Sequence, residues 1–422
     1  MKVLWAILIE FPPLAEKLGH HVPASCGWLY ASATSVMKEM LELELGVVVY
    51  SYGSTYEEYE IDGVKYYMIP SKSMAETDKR QIEFCKKAIK AFKPDLIHIH
   101  GTEHSLAQAM VQANVNNVRI LANIQGMASG IAPFADGDIS FWEKLKNITP
   151  LDFYRNTFLF TVKREMYKRA KCESAVIRQI TDITGRTQWD YDHAVTINPN
   201  IQYHFLNETL RDSFYEGDCW SLDKCKRHTI FVSNSGAPLK GAHQILKALP
   251  IILDRYPDTI VNFCGINVMN SDLKLIIRFQ GYHLYLRKLV KKLKLQNHVS
   301  FLGTLSERQM KQAFLDANVY VMPSAIENSP NSLCEAQIMG VPVVASYCGG
   351  TPSLIIDGET GFLYRYEEYV QLAQLIIRLF EKKDFSMLSR REQDVARIRH
   401  NRKNNSRQLI DIYNKIMKKD EI

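Results

Sequence analysis

The chain of 422 residues lacks any long hydrophobic run. A membrane-spanning helix needs ~20 consecutive apolar residues, and no stretch of this sequence approaches that length. The opening segment, residues 1–10, is too short for a signal peptide and has no small-residue cleavage site, which favours the first strand of a parallel sheet. These absences favour a cytoplasmic protein over a membrane-spanning or secreted one.

Cysteine patterns that bind metal are missing as well. The eight cysteines are scattered, and none forms a C-x-x-C pair or a zinc-like cluster with histidine. Reduced thiols are the simplest expectation. The triplet Asp-x-Asp occurs twice, at 136–138 and 190–192, but neither copy clearly ends a strand. We therefore predict no metal site and no bound cofactor.

Neither glycine-rich phosphate-binding signature is present. No G-x-G-x-x-G follows the first predicted strand, which argues against a dehydrogenase, and no G-x-x-x-x-G-K-[ST] occurs, which argues against a P-loop NTPase. Basic stretches interleaved with aromatic residues are also missing. Nucleic acid is therefore not an expected partner.

Positive charge is in modest excess and is clustered. The net charge is +6, and basic residues concentrate in the segments 163–171, 288–294 and 390–419. Such patches could bind anionic lipid or a polyanionic acceptor. Solvated helix faces explain them equally well, so peripheral membrane contact stays open.

Length and periodicity predict the fold class. An apolar fraction of 46% and a charged fraction of 23% are typical of a globular protein, and 422 residues suggest two domains. Strand-like runs alternate with helical stretches in both halves, which indicates an α/β fold with parallel sheets. A helix is predicted at 105–113, among others. The predicted strands of the first half are 3–9, 47–50, 64–69, 96–100, 120–124 and, last, 194–197. Those of the second half are 229–233, 261–264, 299–301, 319–322, 343–345 and 362–364. We predict Rossmann-like domains over 1–200 and 201–405, followed by a final helix at 406–422.

The segment around Glu327 and Glu335 carries the strongest functional signal. A buried strand at 317–324 runs into the polar turn 328–334, and a short helix then ends at Gly340. Backbone N–H groups at a helix start attract phosphate, and the two carboxylates could accept hydrogen bonds from sugar hydroxyls. The alternative is structural, because Ser332 with Glu335, or Ser329 with Pro330, could simply cap the helix.

The string continues with Glu335-Ala-Gln-Ile-Met-Gly-Val-Pro-Val-Val-Ala-Ser, then Gly349-Gly-Thr-Pro and Asp357-Gly-Glu-Thr-Gly-Phe. This run resembles the retaining glycosyltransferases of group 1 (family 4), whose hallmark is two glutamates separated by seven residues. The resemblance implies a GT-B fold, in which two Rossmann-like domains face each other across a cleft and the final helix, 406–422, packs back on the first domain. It also implies a nucleotide-diphosphate sugar, UDP-linked in our expectation, as the donor.

The resemblance assigns roles on the donor side. Lys240, in a Lys-Gly pair at a helix start, would hold the diphosphate, and Glu327 would contact the transferred hexose; both would be catalytic. Glu335 would hold the ribose. The amides of the early helix would add phosphate contacts, the base would lie near the 303–305 loop, and a glycine loop of the first domain would approach the donor. These further donor-binding residues are Gly27, Gly303, Leu305, Asn331, Ser332 and Leu333.

The acceptor side is expected in the first domain, at His100, Gln125 and Arg186. His98 and His100 share one strand face and could instead bind a metal. The chain departs from the family at two positions, with Gln125 where histidine is frequent and Asn234 where an arginine is usual. Arg186 is our candidate for the missing cation, although a structural pairing with Asp190 or Glu173 is equally compatible.

The predicted function is therefore a metal-independent, retaining hexosyltransferase. It would move a hexose to a saccharide or lipid-linked saccharide in cell-surface polysaccharide biosynthesis, in the cytoplasm or at the inner face of the membrane. Two alternatives remain. A sugar-nucleotide epimerase can share this fold, and an inactive sugar-binding scaffold would account for Asn234 and Gln125.

Overall fold

The computed structural model describes residues 1–20, 27–51, 53, 55–70 and 76–418, which form two compact units. Unit 1 comprises 1–130, 167–212 and 399–422, and unit 2 comprises 131–166 and 213–398. The segment 131–166, which the sequence places in the first domain, thus belongs to unit 2. Strand–helix alternation cannot reveal such an excursion, because a chain that leaves one sheet and returns keeps the same local pattern.

The sheet of unit 1 has eight strands in the order β3-β4-β2-β1-β5-β6-β7-β8, and every neighbouring pair is parallel except β3 with β4. Continuous apolar runs form its central strands, because helices cover both faces of a parallel sheet. The strands are β1 Lys2–Ile7, β2 Glu44–Ser51, β3 Glu57–Ile61, β4 Val64–Pro70, β5 Leu96–His100, β6 Arg119–Asn123, β7 Asp182–Gly185 and β8 Gln202–Phe205.

The sheet of unit 2 has six strands, all parallel, in the order β11-β10-β9-β12-β13-β14. This is the doubly wound order, in which the chain reverses direction across the sheet between β9 and β12. Ligands of such sheets bind beyond the carboxyl ends of the strands at that reversal. The strands are β9 Thr229–Val232, β10 Ile260–Phe263, β11 Val299–Phe301, β12 Val319–Met322, β13 Val343–Ser346 and β14 Phe362–Tyr364.

Seventeen α-helices occur in the described part of the chain, and short 3-10 turns join several of them to the strands. The helices are α1 Pro12–Lys17, α2 Gly27–Glu39, α3 Lys79–Phe92, α4 Ser105–Ala113, α5 Ala128–Ile131, α6 Phe141–Lys146, α7 Pro150–Arg155, α8 Val162–Ile177, α9 Gln188–Ile197, α10 Ala242–Leu253, α11 Leu273–Ile276, α12 Gly281–Lys292, α13 Glu307–Asp316, α14 Asn331–Met339, α15 Tyr369–Glu381, α16 Ser386–Arg399 and α17 Arg402–Met417.

The final helix, α17, packs within unit 1 against α2 and the core of the sheet. Its Tyr413 is fully buried, accepts a hydrogen bond from Trp5 Nε1 at 3.0 Å and lies 2.7 Å from His98 Nδ1. A buried phenol with two such partners satisfies its polar atom, so the helix adds apolar contact without a desolvation penalty.

One strand prediction is wrong, and three strands were missed. Residues 194–197 belong to α9, because Thr187 and Asp190 form a capping box that starts a helix at Gln188. A short apolar run cannot distinguish strand from helix by itself. The true last strand of unit 1 is β8, and β3 and β7 were likewise not predicted.

None of the helices in the described ranges combines the length and hydropathy that crossing a bilayer would require.

Candidate functional site

A lysine and a glutamate meet at the strand reversal of unit 2. Lys240 ends a 3-10 turn that follows β9, and Glu327 lies in the loop that follows β12. The Lys240 Nζ atom donates to Glu327 Oε1 at 2.6 Å, and Ser324 Oγ donates to the same oxygen at 2.8 Å. Both charged side chains are mostly buried, with 28% and 11% exposure. The two residues predicted to be catalytic therefore form one preorganised pair.

Two glycines permit this arrangement. Gly241 adopts a φ of +68°, and a Cβ atom there would lie 1.7 Å from the carbonyl oxygen of Pro323. Gly349 has a φ of +48°, and its Cβ would lie 2.0 Å from the carbonyl oxygen of Glu327. The backbones after β9, β12 and β13 thus approach more closely than any side chain would allow.

The start of α14 lies beside this pair. Pro330 is the N-cap, and no side chain caps the helix. Ser332 is already inside the first turn, where its Oγ accepts a hydrogen bond from the Tyr320 hydroxyl at 2.9 Å; that hydroxyl also lies 2.8 Å from Ser233 Oγ. Neither proposed capping arrangement is therefore present. The hydroxyl of Ser332 is instead connected, through the Tyr320 hydroxyl, to Ser233 at the end of β9.

The first turn of α14 offers fewer open amides than expected. The N–H of Leu333 donates to the Pro330 carbonyl at 3.0 Å, which is the first hydrogen bond of the helix. The amides of Asn331 and Ser332 precede that bond. Glu335 follows one turn later and is buried, with 2% exposure. Burial raises the pKa of Tyr320, and the carboxylates of Glu327 and Glu335 raise it further, so both acids lie close to this hydroxyl.

The loop predicted to hold the base is shaped by a second glycine pair. Gly303, with a φ of +73° and no atom near its missing Cβ, accepts a hydrogen bond from Gly265 N at 3.0 Å. Leu305, two residues further along the chain, is buried. Asn234, which replaces the usual arginine, is exposed and folds back to accept from Gly236 N at 2.9 Å. Its side chain therefore stabilises its own turn.

In unit 1, the histidines of β5 are buried against aromatic rings. The rings of His98 and His100 lie 4.0 Å apart, and the ring of Trp5 lies 4.3 Å from that of His100. Burial lowers the pKa of His98 to about 3, and burial followed by the neighbouring His98 holds the pKa of His100 well below its ordinary value. Both rings are neutral near pH 7. Both ring nitrogens of His100 are without a hydrogen-bond partner among the described residues.

Arg186 is not a free cation. It is buried, its guanidinium forms an ion pair with Glu208, and it also donates to the Ile124 carbonyl at 3.1 Å. Asp190 accepts from the backbone N–H of Arg186 but is not its ionic partner. The proposed role of Arg186 as the missing diphosphate cation stays a prediction, and Glu208 is the ionic partner with which a bound diphosphate would share this guanidinium.

Gln125 shares the same partner. Its Nε2 donates to Glu208 Oε1 at 3.0 Å, so Gln125 and Arg186 converge on one carboxylate. Gly101, the residue after His100, ties the ends of two strands together by donating to the Asn123 carbonyl at 2.9 Å. The three predicted acceptor-side residues thus lie at the carboxyl ends of neighbouring strands β5, β6 and β7.

A buried carboxylate supports the loop next to Gln125. Glu173 of α8 accepts hydrogen bonds from Ala128 N at 2.9 Å and Ser129 N at 3.0 Å, which fixes the start of α5. Burial raises the pKa of Glu173 to about 7, although the two amides oppose the shift. This group therefore changes charge near neutral pH.

The remaining predicted positions are less informative. Gly27 begins α2, whereas the adjacent Ser25 and Cys26 lie outside the described residues. In the first Asp-x-Asp triplet, Asp136 is paired with Lys144 at 2.5 Å and Lys163 at 3.1 Å. Two ammonium groups on one carboxylate account for its charge without a metal.

The architecture and sequence define the class of protein. The structure superimposes on sucrose-phosphate synthase from Thermosynechococcus elongatus with a TM-score of 0.68 at 15% identity, covering 98% of each chain. It is also similar to HepE of Anabaena, solved in complex with UDP and glucose, with a TM-score of 0.66 at 15% identity over 98% of this chain and 99% of that one. The fold is therefore GT-B, that of the glycosyltransferases.

The second half of the sequence matches a known family. Residues 221–403 match the family described as "Glycosyl transferases group 1". A D-inositol 3-phosphate glycosyltransferase of Streptomyces avermitilis is 31% identical over 139 residues. That match covers 33% of this chain and 29% of the relative, so the chain spans less than a third of this relative's length.

Sequence reasoning missed three residues that hold the predicted groups in place. Ser324 orients Glu327, Tyr320 links two loops of unit 2, and Glu208 binds both Arg186 and Gln125. Tyr320 and Ser324 lie in the strand segment that the motif identified, but nothing in the sequence shows which residues of a strand face a ligand loop. Glu208 follows β8 in a stretch without any periodic pattern, so no signal marked it.

Proposed function

We propose that this protein transfers a hexose from a nucleotide-diphosphate sugar, UDP-linked, to a hydroxyl of a saccharide or lipid-linked saccharide, with retention of the anomeric configuration. The observation that carries the proposal is the Lys240–Glu327 pair, 2.6 Å apart, at the strand reversal of unit 2. The family match of residues 221–403 and the UDP bound by the similar Anabaena protein support the choice of donor.

The geometry suits departure of a diphosphate. Negative charge builds on the leaving oxygen as the anomeric C–O bond breaks, while the sugar ring becomes positive. The Lys240 ammonium and the N-terminal amides of α14 provide fixed positive charge for the leaving oxygen. The Glu327 carboxylate provides negative charge for the sugar ring. Because these groups are already held in place, they stabilise the transition state more than the ground state. We propose that no divalent metal is required.

Glu327 and Glu335 would contact different parts of the donor. In this proposal Glu327, held by Ser324, contacts the transferred hexose, and Glu335, one turn into α14, contacts the ribose. The amides of Asn331 and Ser332 bind the diphosphate, and the loop 303–305 with its open glycine receives the base. Each assignment is the one that the resemblance to the group 1 glycosyltransferases implies for the matching residue.

Unit 1 would bind the acceptor through His100, Gln125 and their surroundings. Neutral histidines and an amide can donate and accept hydrogen bonds to sugar hydroxyls without adding charge. A mildly basic transferase of this class suits assembly of a cell-surface polysaccharide at the inner face of the cytoplasmic membrane, and we include that setting in the proposal.

The test is a screen of nucleotide sugars by titration calorimetry, followed by activity assays with and without acceptor. We expect UDP and one UDP-hexose to bind the wild-type protein and Glu335→Ala to weaken that binding by about tenfold or more, as expected for loss of a charged hydrogen bond. The exposed Glu359→Ala variant of unit 2 serves as the matched control.

Two results would overturn the proposal. A protein that binds no nucleotide at all would be an inert scaffold. Conversion of the donor to its epimer in the absence of acceptor would identify an epimerase, because a transferase at most hydrolyses the donor slowly. If Glu335→Ala instead lowers only the thermal stability, Glu335 has a structural role and leaves the donor site.

A further inference from the structure

The segment 131–166 of unit 2 contains an exposed aromatic surface that the transferase proposal does not use. In α6, Phe141 is 60% and Trp142 is 65% exposed; in α7, Phe153 is 70% and Tyr154 is 87% exposed. The rings of Phe141 and Trp142 are 5.5 Å apart. Large apolar side chains are rarely grouped on a surface unless they contact a partner. We call these four residues, two on each of the successive helices α6 and α7, the aromatic surface.

The opposite side of this segment is firmly attached to unit 2. Asp152 is buried, and its Oδ2 atom accepts from Thr149 N and Thr149 Oγ1 at 2.8 Å each. Its other oxygen accepts from the amide of Gly281 at the start of α12, at 3.4 Å. A Cβ atom on Gly281 would lie 2.6 Å from the Asn147 carbonyl oxygen. Polar anchors on the inner side therefore hold the aromatic rings outward.

A basic cavity shares helix α6 with the aromatic surface. It has a volume of about 620 Å³, and both α6 and α12 contribute to its wall. Four lysines line it, with Glu143 as the acidic lining residue: Lys146, Lys247, Lys288 and Lys292. Lys288 Nζ donates to the Lys146 carbonyl at 2.6 Å, which joins α12 directly to α6. Burial lowers the pKa of Lys247, and Asp138 opposes that shift.

The combination selects one kind of partner. Aromatic rings with lysines beside them match the interface of a bilayer, where rings sit at headgroup level and ammonium groups attract anionic lipids. A second copy of this chain fits poorly, because a symmetric contact would place lysines against lysines. We propose that the aromatic surface and the basic cavity dock the protein on an anionic lipid membrane, with lipid phosphates in the cavity and the rings in the interface.

This inference rests on the proposed function in one respect, since a lipid-linked acceptor gives the docking a purpose. Vesicle binding can be measured without any sugar nucleotide, so its outcome is independent of the transferase assay. The two proposals can therefore fail separately.

The test is co-sedimentation of the full chain with vesicles of phosphatidylcholine alone or mixed with phosphatidylglycerol. We expect binding to the mixed vesicles only, weakened by salt because the attraction is partly between charges. Trp142→Ala with Phe153→Ala should lower binding about tenfold or more, from the interfacial area that is lost. Lys146→Ala and Lys292→Ala should each lower it about fivefold.

Matched controls come from exposed residues elsewhere. Leu41→Ala removes a side chain that is 91% exposed in unit 1, and Lys274→Ala removes an exposed lysine of unit 2. Both should bind vesicles like the wild type. All variants should keep UDP binding, since none of these residues is placed in the donor site, and this checks that each variant is folded.

Contact with acyl chains provides a second readout. Vesicles with brominated lipids should quench the tryptophan fluorescence of the wild type, and Trp142→Phe should remove most of that quenching while binding persists. Equal binding to neutral vesicles, absence of binding, or binding that survives all four substitutions would overturn the proposal. Binding of free glycerol phosphate without any binding of vesicles would show that the cavity takes soluble phosphates and is not a membrane site.

Discussion

At the scale of single residues, the Lys240–Glu327 pair determines the electrostatics of the proposed donor site. The ammonium and the carboxylate neutralise each other at 2.6 Å, and both are largely shielded from water. Removing one partner of such a pair leaves the other poorly solvated, so a loss of activity alone would not separate catalysis from stability. Ser324 reduces the desolvation penalty of Glu327 by donating a hydrogen bond to its carboxylate.

We predict that Lys240→Ala lowers kcat/KM by ~10²-fold or more, because one fixed positive charge is lost from the leaving diphosphate. Steady-state transfer assays with the UDP-hexose identified by calorimetry provide the measurement. Wild-type rates in a correctly folded variant would exclude Lys240 from the mechanism.

The control is the double variant Lys240→Ala with Glu327→Gln. It removes the uncompensated carboxylate, so thermal stability should recover relative to Lys240→Ala while the rate stays low. Because Glu327 is itself placed in the site, the rate of the double variant is compared with that of Glu327→Gln alone. A further loss on removal of Lys240 is expected, and equal rates in the two variants would mean that the lysine acts only through folding or through Glu327.

At the scale of structural elements, a short loop joins β9 to α10 and sets the position of Lys240. Gly241 acts both as the end of the 3-10 turn and as the N-cap of α10, in the left-handed region at a φ of +68°. Its missing Cβ leaves room for the carbonyl of Pro323, which belongs to the loop after β12. The glycine of the Lys-Gly pair is therefore needed so that the two loops can pack closely, in addition to the chemical role proposed for the lysine.

We predict that Gly241→Ala is far more damaging than a typical glycine substitution. The strained φ alone costs ~1–2 kcal/mol, and the clash with Pro323 adds the displacement of the β12 loop. The free energy of unfolding and the affinity for UDP should both fall, because the loop movement separates Lys240 from Glu327.

Gly358→Ala provides the matched control. Gly358 has a φ of +79°, and no atom lies within 4 Å of its missing Cβ, so it shares the backbone strain without the clash. It should lose about 1–2 kcal/mol of stability and keep UDP affinity. Equal losses in the two variants would show that the close approach to Pro323 is unimportant.

At the scale of the whole molecule, buried titratable groups determine how stability depends on pH. Burial lowers the pKa of three histidines to about 3 and that of a fourth well below its ordinary value. These residues are His98, His243, His400 and His100. Their unfolded pKa is near 6.5, so the unfolded chain binds the extra protons. The stability they contribute is present above pH 6.5 and is lost as pH falls toward 3.

Two buried glutamates act in the opposite direction. Burial raises the pKa of Glu173 to about 7 and that of Glu392 well above its usual range. Their stabilising contribution is present below an unfolded pKa near 4.5 and is lost as pH rises through the raised values. Between about pH 4.5 and 6.5 the four histidines outweigh the two acids, so net stability should rise with pH.

We predict that the free energy of unfolding falls when pH is lowered from about 7 to about 5, by up to ~1.4 kcal/mol per pH unit for each histidine that stays neutral in the folded state. Urea denaturation at several pH values provides the measurement. NMR titration of the imidazole resonances is the check, because a folded-state midpoint near 6.5 for His98, His100, His243 and His400 would contradict the explanation.

The fold was predictable to a large extent because repeated apolar runs are a local property. The strand at 96–100 and the helix at 105–113 were predicted with the bounds that the structure has, and all six strands of unit 2 were found. The failures occurred where local signals conflict or vanish. At 194–197 an apolar run lay inside a capped helix, and the short strands β7 and β8 carry too few residues to show a period.

The meeting of Lys240 and Glu327 was predictable because they belong to one Lys-Gly pair and one contiguous motif, while their role in binding a donor stays a prediction. The partners of Arg186 were not, since Glu208 lies 22 positions away and binds it only after β7 and β8 align. The excursion of 131–166 into unit 2 was equally invisible, because its anchors, such as Asp152 with the Gly281 amide and the Lys146 carbonyl with Lys288, join residues far apart in the chain.

The sequence by itself determined the alternation of strands and helices, the group 1 motif and the residue types available for sugar-nucleotide chemistry, since each depends on neighbours along the chain. Only the tertiary structure decided which charges neutralise each other, which histidines lose their protons to burial, and where the aromatic surface meets the lysines. Those properties depend on distances and on exclusion of water, and both arise only when segments far apart in the chain pack together.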